Sequence, residues 1–146
     1  LINRFGSTVL GDVVYQSDGH RDIAIVKPKY QLSEIEPVLY NIDKSKTLGE
    51  RVYFMGHPDE LDFFLFEGMV SLDGTDGVFL HSTAWGGVSG SVVFNKRGRV
   101  VGVAKAVKVT INPITGLPRL LEDMVLVSKV DFLTMETLRD SMDGKR

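Results

Sequence analysis

The chain consists mainly of short segments rich in β-branched and aromatic residues, each bounded by Gly, Pro, Asn or Asp. Segments of this length and composition predict β-strands, because the flanking residues favour turns and helices need longer periodic runs. Many short strands with a single helix predict an all-β barrel or sandwich. The predicted strands are residues 7–15, 22–27, 49–58, 63–72, 78–81, 91–94, 99–103, 104–111 and 124–127.

Helical periodicity is confined to the C-terminal part of the chain. Phe132, Met135, Leu138 and Met142 form one apolar stripe at helical spacing. Residues 128–131 resemble a capping box, with Asp in the acidic position, and therefore predict the start of this helix.

Composition excludes several classes of function. The 146 residues carry a formal net charge of −2, so electrostatics favour no nucleic-acid partner, and no apolar run reaches membrane-spanning length. Without cysteine the chain has no disulfide and no thiolate nucleophile. Leu1 is not a natural start residue and no signal peptide is visible, so we expect a part of a longer protein.

A glycine-rich loop precedes the predicted hairpin of residues 91–103. Ser89 lies there between Gly87 and Gly90, on backbone that can turn sharply and approach a ligand closely. Such a loop can direct two N–H groups at one point, as the oxyanion of acyl transfer requires. The four residues 87–90 alone favour an ordinary glycine-rich turn before a hairpin, because matches to so short a motif are common.

Asp22 opens an early, nearly all-apolar strand. An aspartate in this position can end a turn or pair with the neighbouring Arg21. From these residues alone, Asp22 is interpreted as a structural residue.

The order of the motifs resembles that of trypsin/chymotrypsin-fold serine peptidases, closest in layout to the HtrA/Deg type. This resemblance implies a chymotrypsin-like double β-barrel with a C-terminal helix, of which the first barrel is incomplete in this chain. Residues 1–47 would be the remaining part of that barrel and the connection, and residues 48–146 the second barrel and the helix. The matching motifs are, in order, residues 22–27, 48–58, 67–71, and 87–91 with 98–103.

The resemblance implies roles for three residues. Ser89 would be the nucleophile, and the N–H groups of Gly87 and Ser89 would receive the oxyanion. Asp22 would orient a histidine and stabilise its imidazolium form.

The resemblance also implies a pocket for the side chain on the N-terminal side of the cleaved bond, the P1 residue. No carboxylate lies in its walls to pair with Lys or Arg, so we expect a small or medium neutral P1 residue. The implied wall residues are Thr83, Ala84, Trp85, Lys105, Ala106 and Val107.

The general-base histidine of such peptidases has no counterpart before Asp22. His20 lies on a turn two residues before that aspartate, and His57 and His81 follow it at ordinary turn and strand positions. All three are interpreted as surface or packing residues. We therefore expect the triad histidine upstream of Leu1, on the same or another chain, and expect residues 1–146 alone to be inactive. A lesser departure is Ser91, where glycine is usual.

Two functions remain from the sequence. The first is a serine endopeptidase acting on polypeptides through a Ser-His-Asp triad, with no cofactor. The second is a catalytically inactive peptidase-fold module with a binding or structural role, for example as part of a viral particle. A metal site formed by the three histidines has no ligand spacing to support it.

Overall fold

The structure is a computed structural model and describes residues 8–19, 21–30, 41–58, 61–75, 77–84 and 86–143; of residues 106–108, 120 and 122 it describes the backbone alone. Contacts divide the chain into two units, residues 1–40 with 132–146 and residues 41–131. The elements in chain order are β1 (Gly11–Gln16), β2 (Ala24–Pro28), β3 (Arg51–Gly56), β4 (Phe64–Asp73), β5 (Val78–His81), β6 (Val92–Asn95), β7 (Val100–Ile111), β8 (Pro118–Lys129) and α1 (Met135–Asp143).

The unit of residues 41–131 is a closed six-stranded antiparallel barrel with the strand order β3-β4-β5-β8-β7-β6. Pairing of β3 with β6 closes it, since Val52 lies opposite Asn95 and Tyr53 opposite Phe94. Alternate residues of β3 point inward, which buries Val52 and Phe54. Phe54 stacks on Phe66 of β4 with ring centroids 5.1 Å apart. The barrel therefore has a filled apolar interior.

A buried polar cluster attaches the segment before β3 to the barrel. Asp43 is 3% exposed and accepts hydrogen bonds from the Ser45 N–H at 2.9 Å, the Ser45 hydroxyl at 2.7 Å and the Asn95 amide at 2.6 Å. Burial alone would raise the pKa of Asp43, but these hydrogen bonds, together with one to the Glu50 side chain, outweigh it and lower the pKa to about 2. Asn95 also accepts from the N–H groups of Arg97 and Arg99, so one side chain joins the segment to the β6–β7 turn.

The other unit contains β1, β2 and α1. The two strands pair antiparallel, with an irregularity between Val13 and Tyr15. Tyr15 contacts Phe132 just before the helix, at a centroid distance of 5.9 Å, and the Arg21 guanidinium lies 4.4 Å from the same ring. Lys27 adds a hydrogen bond of 3.0 Å to the carbonyl oxygen of Met142.

The predicted fold class is confirmed: the chain is all-β with a closed barrel and a C-terminal helix. The capping box at residues 128–131 is wrong, because Ser128 is buried within β8. The helix begins later, where the Thr134 side chain accepts the N–H of Thr137 at 3.1 Å. Pairing with β7 also makes β8 much longer than the predicted strand at residues 124–127. Within the ranges given above, no helix is long and apolar enough to cross a membrane.

Candidate active site

The serine loop, defined as residues 86–91, connects β5 to β6 at one end of the barrel. Its central residues point in opposite directions: Val88 is 4% exposed within the apolar core, whereas Ser89 is exposed. Burial of Val88 anchors the loop, because moving the loop away from the barrel would expose this apolar side chain to water. The neighbouring hydroxyl is thereby held at the surface.

Backbone hydrogen bonds complete the turn. The Ser91 N–H donates to the Val88 carbonyl at 3.1 Å, and the Gly90 N–H donates to the Ala104 carbonyl of β7 at 2.7 Å. Gly87 and Gly90 adopt φ values of 96° and 90°, in a region that costs residues with a Cβ atom about 1–2 kcal/mol. Positions 87 and 90, which flank Ser89, are therefore occupied by glycine because their backbone conformation is unfavourable for other residues.

The end of β3 packs directly against this loop. The His57 N–H donates to the Gly87 carbonyl at 3.1 Å. A Cβ atom on Gly56 would lie 2.8 Å from Cγ1 of Val88, and one on Gly87 would collide with the carbonyl oxygen of His57. Both positions require glycine because two backbone segments meet there without space for a side chain.

The Ser89 hydroxyl donates a hydrogen bond of 3.0 Å to the carbonyl oxygen of Lys105 in β7. Neither the Gly87 N–H nor the Ser89 N–H has a hydrogen-bond partner in the part of the chain that the structure describes. The loop thus presents one hydroxyl and two available N–H groups.

Asp22 belongs to the other unit and lies in the turn before β2, not in the strand itself. Its φ is 51°, a conformation that Asp tolerates better than most residues. The side chain is exposed, has no partner among the described residues, and lines a cleft of about 220 Å³ together with residues 16–19, 23 and 24. The Ser17 N–H donates to the Ile23 carbonyl at 2.8 Å and the Ser17 hydroxyl oxygen accepts the Ile23 N–H at 2.9 Å, which closes this turn.

The expected pocket residues have different environments. Thr83 is exposed and Lys105 is partly exposed. Ala84 is fully buried and belongs to the barrel core. Ala106 and Val107 lie in β7 opposite Leu126 and Val125, and Trp85 lies outside the described residues.

The two histidines that the structure describes lie in the barrel unit. The Nδ1 atom of His57 is 3.2 Å from Oδ1 of Asp62, and its ring meets the Phe63 ring edge-on at 4.8 Å. His81 is an exposed residue of β5. His20 lies outside the described residues.

Sequence reasoning missed the contribution of Gly56, His57 and Val88 to the serine loop. The sequence contains a signal for the first two, because a Gly-x-Pro turn after a strand indicates a close backbone approach. For Val88, an apolar residue next to the exposed serine, only the barrel shows that it points into the core.

Comparison with curated proteins finds no significant match to the chain. A family model described as a trypsin-like peptidase domain matches residues 3–103, a span that includes Asp22, the end of β3 and the whole serine loop. That span covers well over half of the 146 residues, so the chain belongs to the trypsin-like peptidase domain family.

Proposed function

We propose that this protein is a serine endopeptidase in which Ser89 attacks the carbonyl carbon of a peptide bond. The observation that carries the proposal is the anchored loop, where Val88 is buried while Ser89 is exposed beside two available N–H groups. Those groups, on Gly87 and Ser89, would stabilise the negative charge that develops on the carbonyl oxygen.

The proposed mechanism needs a general base and an orienting carboxylate. Asp22 would accept a hydrogen bond from the Nδ1–H of a histidine, which holds that ring in the correct tautomer, and the other ring nitrogen would take the Ser89 proton. We propose that this histidine comes from a segment N-terminal to Leu1, as the family order implies. The substrate residue before the cleaved bond would lie against residues 105–107 and carry a small or medium neutral side chain.

A fluorophosphonate probe applied to the full-length protein tests the nucleophile. The probe should label Ser89, and the Ser89→Ala variant should stay unlabelled. Ser91 is the internal comparison, because its N–H and carbonyl are both used in backbone hydrogen bonds. Labelling of Ser91, or of Ser89→Ala at another serine, would refute the assignment.

One observation favours the second function, a peptidase-fold module without catalysis. The Ser89 hydroxyl already has a structural use, since it donates to the Lys105 carbonyl without any histidine. If the full-length protein binds extended peptides but neither reacts with the probe nor cleaves them, this second function is correct.

A further inference from the structure

The turn that carries Asp22 packs against the chain just before α1. Arg21, the residue before Asp22, places its guanidinium 4.4 Å from the centroid of the Phe132 ring. The Tyr15 ring of β1 lies 5.9 Å from the same ring, centroid to centroid. Phe132 therefore contacts both β1 and the Asp22 turn.

Main-chain hydrogen bonds fix both partners of the contact between Arg21 and Phe132. In the turn, the Arg21 N–H donates to the Asp18 carbonyl oxygen at 3.1 Å. Before α1, the Phe132 carbonyl oxygen accepts the Thr134 N–H at 3.0 Å and the Thr137 hydroxyl at 3.2 Å. The backbone beneath the ring and the backbone of Arg21 are thus each held in place.

The contact with Phe132 directs the Arg21 guanidinium away from two carboxylates of its own turn. Asp18 accepts the Arg21 N–H with its Oδ1 atom at 3.3 Å, and Asp22 is the next residue in the chain. In the described part of the chain, Arg21 nevertheless forms an ion pair with neither carboxylate. The pairing of Arg21 with Asp22 that the sequence allows is therefore replaced by a cation–π contact.

The proposed mechanism requires an Asp22 carboxylate without a competing cation. Its negative charge stabilises the imidazolium form of the catalytic histidine, and a guanidinium on the same oxygens would offset that charge. An arginine stays charged at every working pH and binds carboxylates through two parallel hydrogen bonds, so the neighbouring Arg21 would be an effective competitor. The charged residue next to Phe132 in the chain, Asp131, is paired with Lys46.

We propose that Phe132 is a positioning residue, which holds the Arg21 guanidinium away from Asp22 and so leaves that carboxylate available to the catalytic histidine. This inference rests on the proposed function, and in particular on the role of Asp22. Phe132 lies outside residues 3–103, the span that the family model matches, so the family match does not account for this contact.

The test compares the turnover of full-length variants on a peptide substrate. Phe132→Leu should lower kcat by up to about fivefold, because the guanidinium then pairs with Asp22 and an exposed ion pair supplies no more than this factor. The double variant Phe132→Leu/Arg21→Gln should regain the kcat of Arg21→Gln alone. A contact with a purely structural role predicts no such recovery, because the second substitution cannot return the lost packing.

The pH profile of kcat/KM gives a second readout, since it reports the pKa of the catalytic histidine in the free enzyme. Pairing of Asp22 with Arg21 weakens the stabilisation of the imidazolium, so this pKa should fall by about 0.5 in Phe132→Leu and return in the double variant. Phe132→Tyr keeps an aromatic ring against the guanidinium and should match the parent. Leu133→Ala, at a neighbour that is 6% exposed, is the packing control, which should lower thermal stability and leave the pH profile unchanged.

A pair of variants at Arg21 tests the same point with Phe132 intact, should Phe132→Leu not fold. Arg21→Lys keeps the positive charge but loses the planar group that stacks on the ring, so it should lower kcat, whereas Arg21→Gln should not. Equal kcat in these two variants, or a loss in Phe132→Leu that Arg21→Gln does not restore, would overturn the inference. Normal turnover in Asp22→Asn would overturn the role of Asp22 and this inference with it, so the two failures are distinguishable.

Discussion

The backbone N–H of His57 donates a hydrogen bond of 3.1 Å to the carbonyl oxygen of Gly87. This bond fixes the peptide plane after Gly87, and the φ of 96° then sets the direction of the Gly87 N–H. The end of β3 thus controls the orientation of a proposed oxyanion donor through backbone atoms alone. Because the contact is between main chains, substitutions at Gly56 or Gly87 disturb it more than a change of the His57 side chain would.

Gly87→Val should lower the turnover of the full-length peptidase by about 10²–10³-fold, because the new side chain collides with the His57 carbonyl and displaces an oxyanion donor. The measurement is kcat on a peptide substrate. Gly98→Ala is the control, since Gly98 also has a positive φ but has open space around its Cβ position in the β6–β7 turn. Equal turnover in the two variants would show that the oxyanion site is built elsewhere.

Val88→Ala should lower the free energy of unfolding by about 2 kcal/mol, because it leaves a cavity in the barrel core beneath the serine loop. Urea unfolding measures this loss. Val92→Ala, at a valine that is 40% exposed in β6, should cost clearly less. If the two variants lose the same stability, Val88 does not anchor the loop.

Asp43→Asn should destabilise the barrel in a pH-dependent manner. The folded pKa of about 2 lies below the ordinary value of 3.8, so the charged carboxylate contributes stability above about pH 4 that is lost as the pH falls to 2. The contribution at pH 7 is about 2 kcal/mol. Urea unfolding at pH 7 should give a lower free energy of unfolding for the variant than for the parent. At pH 2 the two free energies should be nearly equal. Asp12→Asn, at an exposed carboxylate, should show no such trend; a constant difference for Asp43→Asn would contradict the assignment.

His57→Asn should change turnover by no more than about threefold, because the His57 side chain is 53% exposed and its pairing with Asp62 is a surface interaction. His81→Asn serves as the comparison. A fall of about four orders of magnitude in His57→Asn alone would instead identify His57 as the general base.

Asp22→Asn should keep the fold and lower turnover by about 10⁴-fold, because an amide would hold the catalytic histidine in the wrong tautomer. The fold is preserved since Asn tolerates the φ of 51° as well as Asp does. Kinetics and thermal unfolding of the full-length protein measure both effects. Normal turnover in the variant would show that Asp22 has no catalytic role and is only a residue of the turn before β2.

The strands, the final helix and the exposed serine could be predicted from the sequence because each depends on local pattern. β5 coincides with the predicted residues 78–81, and β4 is displaced by one residue from 63–72. Asp22 was expected to open its strand but lies in the turn before it, since β2 begins at Ala24. Its catalytic role, like that of the pocket residues, stays a prediction.

Tertiary structure alone decided the features that join distant residues. Residues 118–121 have no strand pattern of their own, and they are extended because they pair with β7. Val88 is an anchor because closure of the barrel places it in the core, and Gly87 must be glycine because the carbonyl of His57 lies against it. Local pattern records what a residue prefers, whereas contact between segments far apart in the chain depends on how the whole barrel closes.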